Sequence, residues 1–156
     1  MKPCCSGLLA VLCSLPVLAQ SPDVALHTAA DVGQVEAKLI ATAKAAPTGF
    51  AVSALDDFSN ARTLLVVRVH TGPAERHQLW ADQMIVEKGT LTVVYGGEMQ
   101  QEQPGTSPGE STGAGVKGGK EIVLHPGDIL HIPAGIPHWV KLDPGVTTTY
   151  FVIKEK

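Results

Sequence analysis

The sequence predicts a mainly β protein, a small sandwich or barrel of short strands preceded by one α-helix. From Phe50 onward, short runs rich in β-branched residues are separated by Gly, Pro, Asp and Asn, as in closely spaced strands and turns. An alanine-rich stretch with apolar residues at helical spacing stands before them. The chain has 156 residues, the length of one ordinary domain. We therefore expect a single β domain with a helix on its N-terminal side.

Charge and cysteine content exclude several classes of function. Twelve basic and fifteen acidic residues give a formal net charge of −3, which offers no positive surface for nucleic acid or for an anionic membrane. The three cysteines, Cys4, Cys5 and Cys13, all lie near the N-terminus, so the β domain has no thiolate for a metal or a disulfide. A metal in that domain must therefore be held by His, Asp or Glu.

The first 19 residues have the pattern of a secretory signal peptide. Lys2 supplies a positive charge, and the uncharged stretch at 7–19 is too short to span a bilayer as a helix. Small or aliphatic residues precede a polar segment, which predicts cleavage after Ala19. We expect export to the periplasm or secretion, and the alternative is an apolar helix retained in a cytosolic protein. The mature chain has no cysteine, which suits an oxidising compartment.

The next segment, residues 20–49, is predicted to contain the helix. Thr28 and Asp31 are candidates for its N-terminal cap, and Pro47 and Gly49 provide a stop. One face of the helix carries apolar residues at helical spacing, namely Val32, Val35, Leu39 and Ile40. We expect this amphipathic helix to pack on the β domain.

Residues 50–156 form the predicted β domain, which a glycine-rich stretch at 98–120 interrupts. This stretch holds six glycines and two prolines, and almost no bulky apolar side chain. Because it can bury little apolar surface, we expect a long loop, either a disordered insertion or a functional lid.

The best-defined local motif is GDILHIPAGIPH at 127–138. It predicts a tight turn, a short strand that Pro133 ends, a second turn and a new strand that opens at His138. Its spacing is a Gly, five residues, a Pro, one residue, a Gly, two residues and a His. This spacing closely resembles the second motif of the cupin superfamily. The position four residues after the His, usually Asn in that motif, is Leu142.

A first cupin motif is found by counting back from Gly89. In cupins this motif usually holds two His separated by one residue, then a Glu, then a Gly. Here Asp82 stands at the Glu position, His77 at the second His and Glu75 at the first. The leading Gly of the motif is replaced by Val69. The frame resembles the family, with two ligand types exchanged.

The resemblance extends from about residue 50 to 153 and implies a small jelly-roll β-barrel. On a strand, positions i and i+2 share one face, so Glu75 and His77 can point together into the barrel. The resemblance implies a divalent transition metal, Zn²⁺, Fe²⁺, Mn²⁺ or Ni²⁺, with four candidate ligands: Glu75, His77, Asp82 and His138. Because Asp is one methylene shorter than Glu, Asp82 either binds the metal, orients His77 or serves as a catalytic base.

Other interpretations of these residues stay open. The two histidines also suit acid–base or substrate-binding work without metal, or packing alone, and a register shift of one residue would make Glu75 a surface charge beside Arg76. We expect the other histidines to lie in loops or at the rim: His27, His70, His125 and His131. Trp80 and Trp139 are expected to pack in the core or to line an apolar pocket.

Two classes of function follow. The first is an exported, metal-dependent enzyme, an oxygenase or an isomerase, acting on a small polar molecule inside the barrel. The second is a non-catalytic protein that binds or senses a metabolite without metal. Both predict a small-molecule ligand and no nucleic-acid or membrane partner for the mature chain. The resemblance also implies a homodimer, since cupins often pair by strand exchange.

Overall fold

The computed structural model describes residues 24–156, so the predicted signal peptide at 1–19 lies outside the described residues. The described chain consists of one helix, α1 (Ala29–Ala45), followed by β-strands. The strands are β1 (Phe50–Asp57), β2 (Ala61–Arg68), β3 (Ala74–His77), β4 (Ala81–Lys88), β5 (Leu91–Tyr95), β6 (Glu98–Gln100), β7 (Gln103–Pro104), β8 (Glu110–Gly113), β9 (Gly115–Lys117), β10 (Lys120–Leu124), β11 (Ile129–Ile132), β12 (His138–Lys141) and β13 (Thr148–Glu155). This order confirms the prediction of a mainly β fold with one N-terminal helix.

Two antiparallel sheets pack face to face as a jelly-roll barrel. The first sheet has the order β1-β2-β13-β4-β11, and the second has the order β10-β5-β12-β3-β8-β7. A small third sheet pairs β6 with β9. As the second motif predicts, β11 spans 129–132 and β12 opens at His138.

The barrel interior is apolar over most of its length. Both sheets contribute buried side chains to it, including Val66, Met84, Val93 and Val140. Burial alternates along β4, where every second residue faces inward. That alternation places Asp82 on the same interior face as Met84.

Helix α1 covers the outer face of the first sheet. Leu39 and Ala43 pack there against Leu65 and Val67 of β2. The predicted cap is confirmed, since the Thr28 hydroxyl accepts from the Asp31 backbone and the Asp31 carboxylate accepts from the Thr28 backbone. Among residues 24–156 no helix is both long and apolar enough to cross a membrane.

The prediction of a long irregular loop at 98–120 is wrong. The segment forms the four short strands β6 to β9, and β8 pairs antiparallel with β3, with Glu110 opposite His77. Gly109 supports the turn into β8 with a φ of +80°, which a residue with a Cβ rarely adopts. Backbone pairing of β8 with β3 and of β6 with β9 orders the segment, and its Met99 is buried.

Candidate metal centre

Strands β3 and β12 of the second sheet and β4 of the first bring the four predicted site residues together inside the barrel. Glu75 and His77 lie on β3 and face inward, whereas Arg76 between them points to the other side, where it pairs with Glu102. His138 is the first residue of β12 and stands opposite Glu75 in the register of these strands. One potential ligand atom each from Glu75, His77 and His138 lies within 4.8 Å of the others. The surface-charge interpretation of Glu75 therefore does not fit the register.

Asp82 reaches the same centre from β4. Its Oδ2 atom lies 3.4 Å from Nε2 of His77 and 3.8 Å from Nε2 of His138. Its Oδ1 atom accepts a hydrogen bond of 2.7 Å from Nζ of Lys154 on β13. One carboxylate oxygen is thus held by an ammonium group, and the other faces both imidazoles.

The outer nitrogen of each imidazole has a partner that holds the ring in place. Nδ1 of His138 lies 3.2 Å from the carbonyl oxygen of Ile136 and, because a carbonyl only accepts, this nitrogen carries the proton. Nδ1 of His77 contacts the carboxylate of Glu110 and donates to it in the same way. In neutral rings both Nε2 atoms then keep their lone pairs and point into the centre.

The centre is therefore a cluster of acceptors: two imidazole nitrogens with the carboxylates of Glu75 and Asp82. Lys154 and the neighbouring Arg68 pair with one oxygen of each carboxylate, and the acceptor atoms that face one another suit a further cation. Burial lowers the pKa of His138, against the opposing effect of the nearby carboxylates of Asp82 and Glu75, which favours its neutral, ligating form. Nitrogen and carboxylate donors of this kind fit Zn²⁺, Fe²⁺, Mn²⁺ or Ni²⁺.

A buried arginine positions Glu75. Arg68 is 3% exposed, and its Nη2 atom lies 3.5 Å from Oε2 of Glu75. Its Nε atom donates to the hydroxyl of Tyr150 at 2.8 Å, and its guanidinium stacks on the ring of Phe50. Burial by itself lowers the pKa of Arg68, but Tyr150 and Glu75 raise it above its ordinary value. Arg68 therefore stays charged beside the carboxylate.

Four residues of this neighbourhood are absent from the sequence prediction: Arg68, Glu110, Tyr150 and Lys154. Arg68 had a usable signal, because it alternates with Leu64 and Val66 on one face of a predicted strand. Glu110 had none, since it lies in the glycine-rich segment.

The remaining predicted residues stay outside the centre. All four other histidines are exposed: His27, His70, His125 and His131. Trp80 is buried, and Trp139 is half-buried with its indole N–H donating to the carbonyl of Gly72 at 2.7 Å. The exposure of the histidines agrees with their expected places in loops and at the rim.

No protein-family model matches this chain, and no curated protein matches it either. Solved structures do match. An oxalate oxidase has a TM-score of 0.51 at 20% identity, with 71% of this chain and 53% of that chain covered. The TT1209 protein of Thermus thermophilus has a TM-score of 0.51 at 17% identity, covering 70% and 86%. The DMSP lyase DddQ of Ruegeria pomeroyi has a TM-score of 0.50 at 15% identity, covering 69% and 47%.

These likenesses confirm the cupin fold that the two motifs predict. The chain spans about half the length of the oxidase and of the lyase. At such identities the shared feature is the fold, and one fold hosts many activities.

Proposed function

We propose that this chain is an exported cupin enzyme that uses a divalent transition metal to act on a small polar molecule inside the barrel. One observation carries the proposal: Glu75, His77 and His138 each bring a ligand atom within 4.8 Å of the others. The rings are held by Glu110 and by the carbonyl of Ile136, so that their Nε2 atoms face the centre. Metal-binding histidines usually have such outer partners.

A bound metal would polarise a substrate oxygen as a Lewis acid. Two histidines and one carboxylate leave coordination positions open, which is the ligand set of non-haem iron oxygenases. An isomerase needs a base as well, and Oδ2 of Asp82 is the group in place to accept a proton. Lys154 holds the other oxygen of that carboxylate and so keeps Oδ2 directed toward the centre.

The second candidate is a metabolite-binding or sensing protein without metal. It is favoured by the ion pairs that the cluster already contains, Lys154 with Asp82 and Arg68 with Glu75. A doubly protonated His77 would also donate to Glu110 and to Asp82 at once. In that case a proton takes the place of the metal.

Metal analysis of the purified chain separates the two candidates. We expect about one equivalent of metal after refolding with Zn²⁺, Fe²⁺, Mn²⁺ or Ni²⁺. Because a metal that binds only the folded state stabilises it, chelation should lower the melting temperature, by the equivalent of roughly 3 kcal/mol at a hundred times the dissociation constant. His77→Ala and His138→Ala should each abolish this chelator response.

The matched control is His131→Ala, which removes an exposed imidazole from neighbouring strand β11 and should leave the response unchanged. A melting curve that is the same with and without chelator, on protein that takes up none of the four metals, would leave the metal-free candidate.

A further inference from the structure

A cleft of about 850 Å³ opens beside the candidate metal centre. It lies between the inner face of the first sheet and the segment at 104–112 of the second sheet. Lys154 and Glu110 line this cleft, and their side chains contact Asp82 and His77 respectively. The cleft therefore ends at residues that touch the centre.

Three cations border the cleft on the same face of the first sheet. Arg62 on β2 stands directly opposite Lys154 on β13, and Lys156 follows two residues further on. Side chains two residues apart on a strand point to one face, so the positive groups gather at the cleft. Like charges directly opposite each other in a sheet repel. Among residues 24–156, the ion-pair partner of Arg62 is exposed Asp57, and such a pair contributes little.

An apolar wall adjoins these charges. The ring of buried Trp80 lies 4.9 Å from the guanidinium carbon of Arg62 and 4.6 Å from Nζ of Lys156. Phe50 and Leu64 continue the wall toward the interior of the barrel. A ligand in the cleft thus meets an aromatic surface and positive groups side by side.

The net charge of the candidate metal centre also favours an anionic ligand. Three carboxylates, those of Glu75, Asp82 and Glu110, face two cations, Arg68 and Lys154. The excess is a single negative charge, which a divalent metal would turn into a net positive charge. An anionic ligand then lowers the electrostatic energy of the site, whereas a neutral ligand leaves it unchanged.

We infer that the cleft binds an organic carboxylate. Its charged end lies beside Arg62 and Lys156, and its apolar body lies on Phe50 and Leu64. The inference rests on the proposed function, because it names the substrate class of that same site.

Isothermal titration with phenylacetate and its neutral isostere phenylacetamide tests the inference. The titration uses metal-loaded and chelated protein at low ionic strength. We expect phenylacetate to bind about tenfold more tightly than the amide, a difference of one charge-assisted contact. Added salt should reduce this preference, since the cations that border the cleft are partly exposed and salt screens their charge. Acetate, which lacks the apolar body, should bind more weakly than phenylacetate.

Two variants locate the binding to the cleft. Arg62→Gln and Lys156→Gln should each weaken phenylacetate binding roughly twofold to tenfold and leave phenylacetamide binding unchanged. The matched control, Lys117→Gln, removes the same charge from an exposed residue of β9 and should change the binding of neither phenylacetate nor phenylacetamide. Melting curves of all three variants check that they are folded.

The inference is overturned if phenylacetate shows no binding at a concentration of about 10 mM, because a dissociation constant above that value is too weak for a substrate. Equal binding of acid and amide, or an equal loss in Lys117→Gln, would overturn it as well. Metal content measured on the same samples keeps the two proposals apart. If the protein binds phenylacetate more tightly than the amide but holds no metal, the carboxylate site stands and the proposed metal enzyme is refuted. If it holds metal but binds both ligands equally, the metal enzyme stands and the carboxylate site is refuted.

Discussion

Glu110 is the residue through which the glycine-rich segment acts on the candidate centre. Its carboxylate accepts from Nδ1 of His77 and so sets which nitrogen of that ring carries the proton. A carboxylate in this position also makes the other nitrogen a better metal ligand. The distance along the chain between the two residues is 33 positions.

Glu110→Gln should lower the affinity for metal by about 10- to 100-fold, because the amide no longer supplies a negative acceptor to His77. Competition titration of the metal against a chromogenic chelator measures the change. Glu102→Gln is the control, since Glu102 accepts from Arg76 and Ser111 away from the centre. Equal affinities of the Glu110 variant and the wild type would contradict this role.

The two carboxylates of the centre should differ in their effect on metal binding. Glu75 belongs to the close ligand set, whereas Asp82 is held by Lys154. We expect Glu75→Gln to abolish stoichiometric binding and Asp82→Asn to reduce affinity by about 10- to 100-fold. Metal titration of both variants checks this, and the reverse order would make Asp82 the ligand and Glu75 the supporting group.

At the scale of elements, Glu36 links helix α1 to the first sheet. It is buried on the inner side of the helix, accepts from the hydroxyl of Thr149 at 2.8 Å and pairs with Lys88. Burial alone raises the pKa of Glu36, but the hydrogen bonds from Lys88 and Thr149 outweigh it and lower the pKa below its ordinary 4.5. The ionised form therefore stabilises the docked helix.

This shift predicts a pH dependence of stability. A carboxyl with a depressed pKa in the folded state contributes stability above its unfolded pKa, and the contribution is lost as pH falls through the folded pKa. The free energy of unfolding should therefore decrease below about pH 4.5, and Glu36→Gln should reduce that decrease. Urea unfolding between neutral and acidic pH measures it. Glu121→Gln, at an exposed pair with Lys141, should leave the slope unchanged, and an unaltered slope in Glu36→Gln would contradict the role.

The segment at 98–120 shows how an element escapes prediction. Its composition lacks the apolar alternation from which strands are recognised. It is ordered because β8 pairs antiparallel with β3, and this pairing satisfies the backbone hydrogen-bonding groups of β8. This pairing joins residues that are distant along the chain, so no local pattern predicts it.

At the scale of the whole molecule, the candidate centre joins parts of the chain about sixty residues apart. His77 and His138 come from β3 and β12, neighbours in the second sheet, while Asp82 comes from the first. A metal at this point would hold the two sheets together. The homodimer implied by the cupin resemblance stays a prediction.

Export is tested on the whole protein. The pattern at 1–19 predicts that the exported protein begins at Gln20, because the cleavage site follows Ala19. Expression in the source cell followed by N-terminal sequencing of the exported and cytosolic fractions measures this. An intact Met1 on protein that remains in the cytosol would contradict it. A replacement of Ala19 by Arg serves as the control, since it should block cleavage at that site.

The sequence by itself determined the helix with its cap, the strand-rich domain and the motif that ends at His138. These depend on local signals, namely side-chain alternation, turn residues and fixed spacing within a few positions. The resemblance to the first cupin motif placed Glu75 and His77 on one face of a strand. Only the tertiary structure decided that Arg68, Glu110 and Lys154 surround them, because these contacts depend on which strands lie side by side. Strand order is set by packing over the entire chain, and no local pattern encodes it.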